Sequence, residues 1–67
     1  MKENEKIVYD FIKSYINENN YSPTVREIMR GINTKSPSYV HNLLIRLKDK
    51  GYIDFKEHSC RTLRILK

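Results

Sequence analysis

Three helices followed by a small β-hairpin, a mainly α single domain, is the fold class this sequence predicts. Apolar pairs recurring about every four positions over residues 7–16 predict the first helix. Two further apolar stripes at i, i+3, i+4, i+7 spacing, each opened by a capping signal, predict the second and third. After Gly51 the apolar period falls to two, which is the mark of strands.

Helix one is expected over about residues 4–18, with Ile7, Val8, Phe11, Ile12, Tyr15 and Ile16 forming one amphipathic stripe. Asn17 to Asn20 and then Tyr21-Ser22-Pro23 break the pattern and force an extended turn, because the residue before proline is driven out of the helical region. Thr24-Val25-Arg26-Glu27 fits a capping box, so helix two starts at Val25 and carries Val25, Ile28, Met29 and Ile32 to about residue 32. Gly31 lowers its propensity, and Asn33 is suited to a left-handed stop.

Ser36-Pro37 combines a hydroxyl cap with a proline at the first helical position, where its missing N–H costs nothing. Helix three is therefore expected over about residues 37–50, with Val40, Leu43, Leu44 and Leu47 buried and Gly51 as its left-handed end. Ile53 and Phe55, then Leu63 and Ile65, alternate with polar residues across a polar turn at Glu57 to Cys60, which predicts a hairpin over about residues 52–66.

The chain has 67 residues, well below the roughly 100 to 200 of a typical domain, so residues 1–67 are read as one domain. A chain this small buries only about 60% of its unfolded surface and has little core to give up for a catalytic cleft. No enzyme is expected. One cysteine, Cys60, cannot staple a secreted scaffold and is read as a small turn residue in a reducing compartment. No signal-peptide core or membrane-length apolar run is present, so no membrane partner is expected. His41, His58 and Cys60 lack the paired spacing of a zinc site, and Asp49, Asp54 and Glu57 read as solvated charge; neither metal nor cofactor is expected.

The net charge of +5 is uneven. Residues 1–24 carry three Lys against four acids, and residues 25–67 carry ten Lys and Arg against four acids. A basic C-terminal part favours a polyanion, with nucleic acid ahead of an anionic membrane. Two helices joined by the tight Asn33-Thr34-Lys35 stretch and followed by a basic hairpin describe a winged helix-turn-helix. With Val40 and Leu44 inward, Ser38, His41, Asn42, Ile45, Arg46 and Asp49 point outward. Asn suits adenine, Ser and His are adaptable, and Arg suits guanine or phosphate. The cations expected at the DNA backbone or in the wing are Arg26, Lys35, Lys50, Lys56, Arg61 and Arg64.

Tyr21-Ser22-Pro23-Thr24-Val25-Arg26-Glu27-Ile28, Ser36-Pro37-Ser38-Tyr39-Val40-His41, Arg46-Leu47 and Lys50-Gly51 together resemble the N-terminal DNA-binding domain of LexA repressors, in the version of Gram-positive bacteria. The resemblance covers nearly the whole chain. It implies a bacterial or phage-encoded, cytoplasmic, nucleoid-associated regulator that binds double-stranded DNA at palindromic damage-response (SOS) operators. It also implies reading positions at Ser36, Ser38 and His41 and a wing contact at Arg61. Tyr39 and Asn42 stand at reading positions where the family usually has small residues. LexA repressors continue into a dimerising serine-lysine autopeptidase domain, which these 67 residues do not include. Helix one uses its apolar stripe for the domain's own core, and no heptad seam or spare stripe remains for a strong self-interface, so a monomer in free solution is expected, with two copies meeting on a palindrome. The rival expectation is a winged-helix adaptor or anti-repressor that binds protein, for which an apolar patch including Ile45 would speak.

Overall fold

The computed structural model describes residues 2–56 and 61–67; the expected polar turn, with Glu57, His58 and Cys60, lies outside them. Three helices, α1 (Glu3–Asn19), α2 (Val25–Gly31) and α3 (Pro37–Asp49), precede two short strands, β1 (Ile53–Asp54) and β2 (Arg64–Ile65). The fold is a winged helix-turn-helix.

Local chemistry accounts for most boundaries. Asn20 ends α1 in the left-handed conformation, φ 64°, and donates its N–H to Ile16 O. The capping box of α2 is complete: Thr24 Oγ1 accepts from Glu27 N at 3.2 Å, and Glu27 Oε1 accepts from Thr24 N at 2.8 Å. The second helix stops at Gly31, one residue short of expectation, and Asn33 makes the left-handed turn at φ 61°. Ser36 Oγ accepts from Tyr39 N and caps α3, with Pro37 in its first turn. At the other end Tyr52 N donates to Leu47 O and Gly51 N to Lys48 O while Gly51 sits at φ 79°, a Schellman ending that a side chain at 51 would strain.

α3 is the central element, packed against α1, α2 and β1. The core joins Val8 and Ile12 of α1, Ile28 of α2, Val40, Leu43, Leu44 and Leu47 of α3, and Ile53 and Leu63 of the hairpin. Ile7 departs from the expected stripe of α1. It is 51% exposed, and the inward line instead runs through Glu5, Val8 and Ile12. Gly31 also has a structural reason: a Cβ there would stand 2.7 Å from Phe11 Cδ2 and closer still to the edge of that ring. The glycine lets α1 and α2 approach at that point.

The strands pair antiparallel, Ile53 with Ile65 and Asp54 with Arg64. That ladder is much shorter than the hairpin expected over residues 52–66. Beyond it a side chain takes over, because Thr62 Oγ1 accepts from Lys56 N at 2.9 Å and donates to Lys56 O at 3.2 Å. Two ladder pairs and one threonine set only the local pairing of the wing.

Candidate nucleic-acid interface

The start of α3 stands open to solvent. Ser36, Pro37, Ser38, Tyr39, His41 and Asn42 are all exposed, and Val40 behind them is fully buried. Burial of Val40, Leu43, Leu44 and Leu47 fixes the rotation of the helix, so exposure of the polar side follows from the 3.6-residue period. Val25, Pro37, Ser38, His41 and Asn42 line a shallow recess where the starts of α2 and α3 meet. Pro37 has no N–H and the Tyr39 N–H is taken by Ser36, so in the first turn the Ser38 N–H, together with the helix dipole, makes this end of α3 attractive to phosphate as well as to base edges. Ile45 is half-buried and is not among the exposed large apolar residues, which are Ile7, Tyr21, Tyr39 and Leu66.

The cations singled out from sequence divide into two groups. Arg26 at the start of α2, Lys35 in the turn and Lys56 in the wing are exposed and have no ion-pair partner among the described residues. Lys50, Arg61 and Arg64 each already hold a carboxylate. Lys50 Nζ donates to Glu5 Oε1 at 2.7 Å, and Arg64 Nη2 to Asp54 Oδ2 at 3.1 Å across the ladder. Arg61 reaches both oxygens of Glu27, at 3.1 and 3.2 Å, and Ser22 O at 2.9 Å. Arg46 is exposed without an ion pair among the described residues but lies near enough to help hold the Glu5 carboxyl below its usual range. Its charge therefore acts toward α1 as well as toward solvent.

These pairings change the reading of the acidic residues. Asp54 is not merely solvated charge. Arg64 first, then the Phe55 N–H, holds its carboxyl below the ordinary value, and Lys48 Nζ stands 3.8 Å away on the other side. Glu27 is pulled down to about 2, chiefly by the Thr24 N–H and then by Arg61, against a raising effect of burial. Phe55 links the wing to α3: Lys48 Nζ donates to its carbonyl at 3.0 Å and stands 4.7 Å from its ring centroid, and the His41 ring meets it edge-on at 6.4 Å.

Some of this was open to sequence reasoning. The Asp54 and Arg64 pair follows once Ile53 is placed opposite Ile65, and Glu5, Val8 and Ile12 have the i, i+3, i+7 spacing of a buried line. Glu27 with Arg61 had no local signal, since 34 positions separate the two. Among the described residues no group of three or more His, Cys, Asp or Glu could hold a metal, and no helix is long and apolar enough to cross a membrane.

Comparison with known proteins agrees with this geometry. The chain is 42% identical over 62 residues to the transcription regulator LexA of Synechocystis sp., an alignment covering 92% of this chain and 30% of that protein. It is 42% identical over 66 residues to the LexA repressor of Carboxydothermus hydrogenoformans, covering 98% and 32%. With the LexA repressor of Petrotoga mobilis the identity is 50% over 52 residues, covering 78% and 25%. The chain thus spans about a third or less of the length of these curated relatives. Residues 2–62 match the family model described as the LexA DNA binding domain, and the chain belongs to that family.

Proposed function

We propose that this chain binds a specific double-stranded DNA site as a LexA-like transcriptional repressor, with the start of α3 in the major groove. The observation that carries the reading is the exposed polar end of α3, flanked by the cations Arg26, Lys35 and Lys56, which have no ion-pair partner among the described residues, in a member of a DNA-binding domain family. Ser36, Ser38, Tyr39, His41 and Asn42 face the bases, with Arg46 at the far edge of the same helix surface. Arg26, Lys35 and Lys56 approach phosphates. Lys50 and Arg64 are secondary candidates, because each must share its donor groups with a carboxylate.

The site is a palindrome of the SOS type. Two copies of the chain occupy it, and each is monomeric in free solution, since the buried stripe of every helix serves the chain's own core. No observation favours the protein-binding alternative, because Ile45 is half-buried.

Selection of bound duplexes from random DNA tests this reading. Enrichment of a palindromic consensus is the expected result, with log affinity falling against log salt at a slope of about −0.9 per phosphate contact. Failure to enrich any sequence, or a flat salt response, overturns it. Sedimentation showing a tight dimer without DNA overturns the monomer.

A further inference from the structure

The wing is held from two sides. On its outgoing side, Phe55 is fixed to α3 by Lys48 and His41. On its return, Arg61 reaches across to the corner between α1 and α2. One nitrogen, Nη1, donates both to Ser22 O and to Glu27 Oε1, while Nη2 donates to Glu27 Oε2. The guanidinium also lies 4.6 Å from the Tyr21 ring centroid, and Tyr21 in turn meets Tyr15 edge-on at 5.8 Å. Glu27 Oε1 is the same oxygen that caps α2 through Thr24 N, so a single carboxylate serves both the helix start and the wing.

Two further features bear on what Arg61 does. Its backbone stands at φ 57°, a region unfavourable to residues with a branched or long side chain unless the surroundings hold it. Its neighbour Thr62 carries both hydrogen bonds that close the hairpin onto Lys56. A path of direct contacts therefore runs from the start of α2 through Glu27, Arg61 and Thr62 to Lys56.

We propose that Arg61 is a positioning residue for DNA binding, a latch that ties the returning side of the wing to the start of α2 and so places Lys56 relative to α3, without itself contacting DNA. The proposal rests on the DNA-binding reading above. It departs from the direct wing contact that the family resemblance implies for this position, because the guanidinium carbon lies over the Tyr21 ring and both terminal nitrogens are engaged by Glu27 and Ser22.

The test uses R61A, R61K, E27Q and the R61A/E27Q double variant, at a temperature where circular dichroism shows each to be folded. Glutamine can still complete a capping box, so E27Q removes the negative charge and the second acceptor oxygen that hold Arg61 while α2 keeps its start. With a latch, R61A and E27Q each weaken binding to the selected duplex, on the order of three- to tenfold, the scale of a lost phosphate contact or two. The double variant is no weaker than R61A, and R61K does not rescue, since an ammonium lacks the planar fork. A direct phosphate contact reverses the sign: E27Q would free the guanidinium, leave affinity equal or higher and steepen the salt slope, and R61K would bind like the original protein. That pattern overturns the proposal.

A second measurement needs no DNA. Amide resonances of Lys56 and Thr62 in the free protein are expected to shift in both R61A and E27Q. Unmoved resonances overturn the latch even where affinity has changed. If those resonances shift but the unmodified protein binds no duplex, the DNA-binding reading has failed, and the latch holds a wing with no role in DNA recognition.

Discussion

Glu5, fully buried in the first turn of α1, receives Lys50 Nζ at 2.7 Å from the C-terminal cap of α3. The pair stands at the edge of the core, with the Lys50 side chain 44% exposed and the second carboxylate oxygen, Oε2, without a hydrogen-bond partner among the described residues. Lys50 first, with Arg46 adding to it, holds the Glu5 carboxyl below its ordinary value although burial pushes the other way. A cation that the charge pattern offers to DNA is therefore part of the α1 to α3 contact.

Replacement of Lys50 should reveal that role through its pH dependence. K50A leaves a carboxylate buried without a donor, which raises its folded pKa and destabilises the domain at neutral pH. In the original protein Glu5 favours folding above the ordinary carboxylate range. In K50A the same group favours folding only when protonated. The gap in Tm between the two proteins should narrow as pH falls from 7 toward the ordinary Glu value of 4.5, and E5Q added to K50A should restore part of the loss. A gap independent of pH would show that Glu5 is not the group responsible.

Acid should weaken the unmodified domain over a defined range. Folded Glu27 titrates at about 2 against an ordinary value of 4.5, and the folded pKa values of Glu5 and Asp54 are lowered too. Each such group binds protons more readily in the unfolded chain, so its contribution is complete above that ordinary value and is lost as pH falls through the folded one. Thermal midpoints should fall from about pH 5 down to about pH 2, and E27Q should flatten the decline over that interval. An E27Q profile parallel to that of the original protein would remove Glu27 as a source.

The elements that could be read from sequence are those whose causes lie within a few residues. Thr24 with Glu27, Ser36 with Pro37, and Gly51 each set a helix boundary through bonds that span five positions or fewer. Exposure of Ser38, His41 and Asn42 follows from the periodic burial of Val40, Leu43, Leu44 and Leu47. The roles of the cations could not be read in the same way. Lys50 and Arg61 find their carboxylates 45 and 34 positions earlier, and a count of charges cannot separate a cation facing phosphate from one already paired. Ile7 is exposed for a local reason: at about 100° per residue it stands well off the line of Glu5, Val8 and Ile12, and the rotation that buries those three turns it to solvent.

Gly31 offers a test of close packing against propensity. Alanine there gains about 1 kcal/mol of helix propensity over glycine. Its Cβ would meet the Phe11 ring, with Cδ2 at 2.7 Å, and overpacking of that kind costs about 1–3 kcal/mol. G31A should therefore unfold at a lower temperature than the original protein. Combining it with F11L, which removes the ring edge, should lose less than the two single effects added together. A more stable G31A would mean that Phe11 moves aside freely and that the close approach of α1 and α2 has no energetic weight.

Asn42 separates recognition from folding. It is exposed one turn beyond Ser38 and borders the recess between the starts of α2 and α3. Its amide can both donate to and accept from an adenine edge, and such a bidentate pair discriminates by about 1–3 kcal/mol. N42A removes no buried side chain, so its stability should change by less than about 0.5 kcal/mol. Binding to the selected duplex should fall by roughly tenfold or more while binding to random duplex changes little. Thermal unfolding and the two affinities, measured on the same preparation, decide between the roles open to this residue. A collapse in stability would make Asn42 a structural residue despite its exposure. An unchanged specific affinity in a folded protein would remove it from the reading surface and shift recognition to Ser38, Tyr39 and His41. An equal loss on specific and random duplex would mean that its amide meets a phosphate, because a backbone contact carries no base preference.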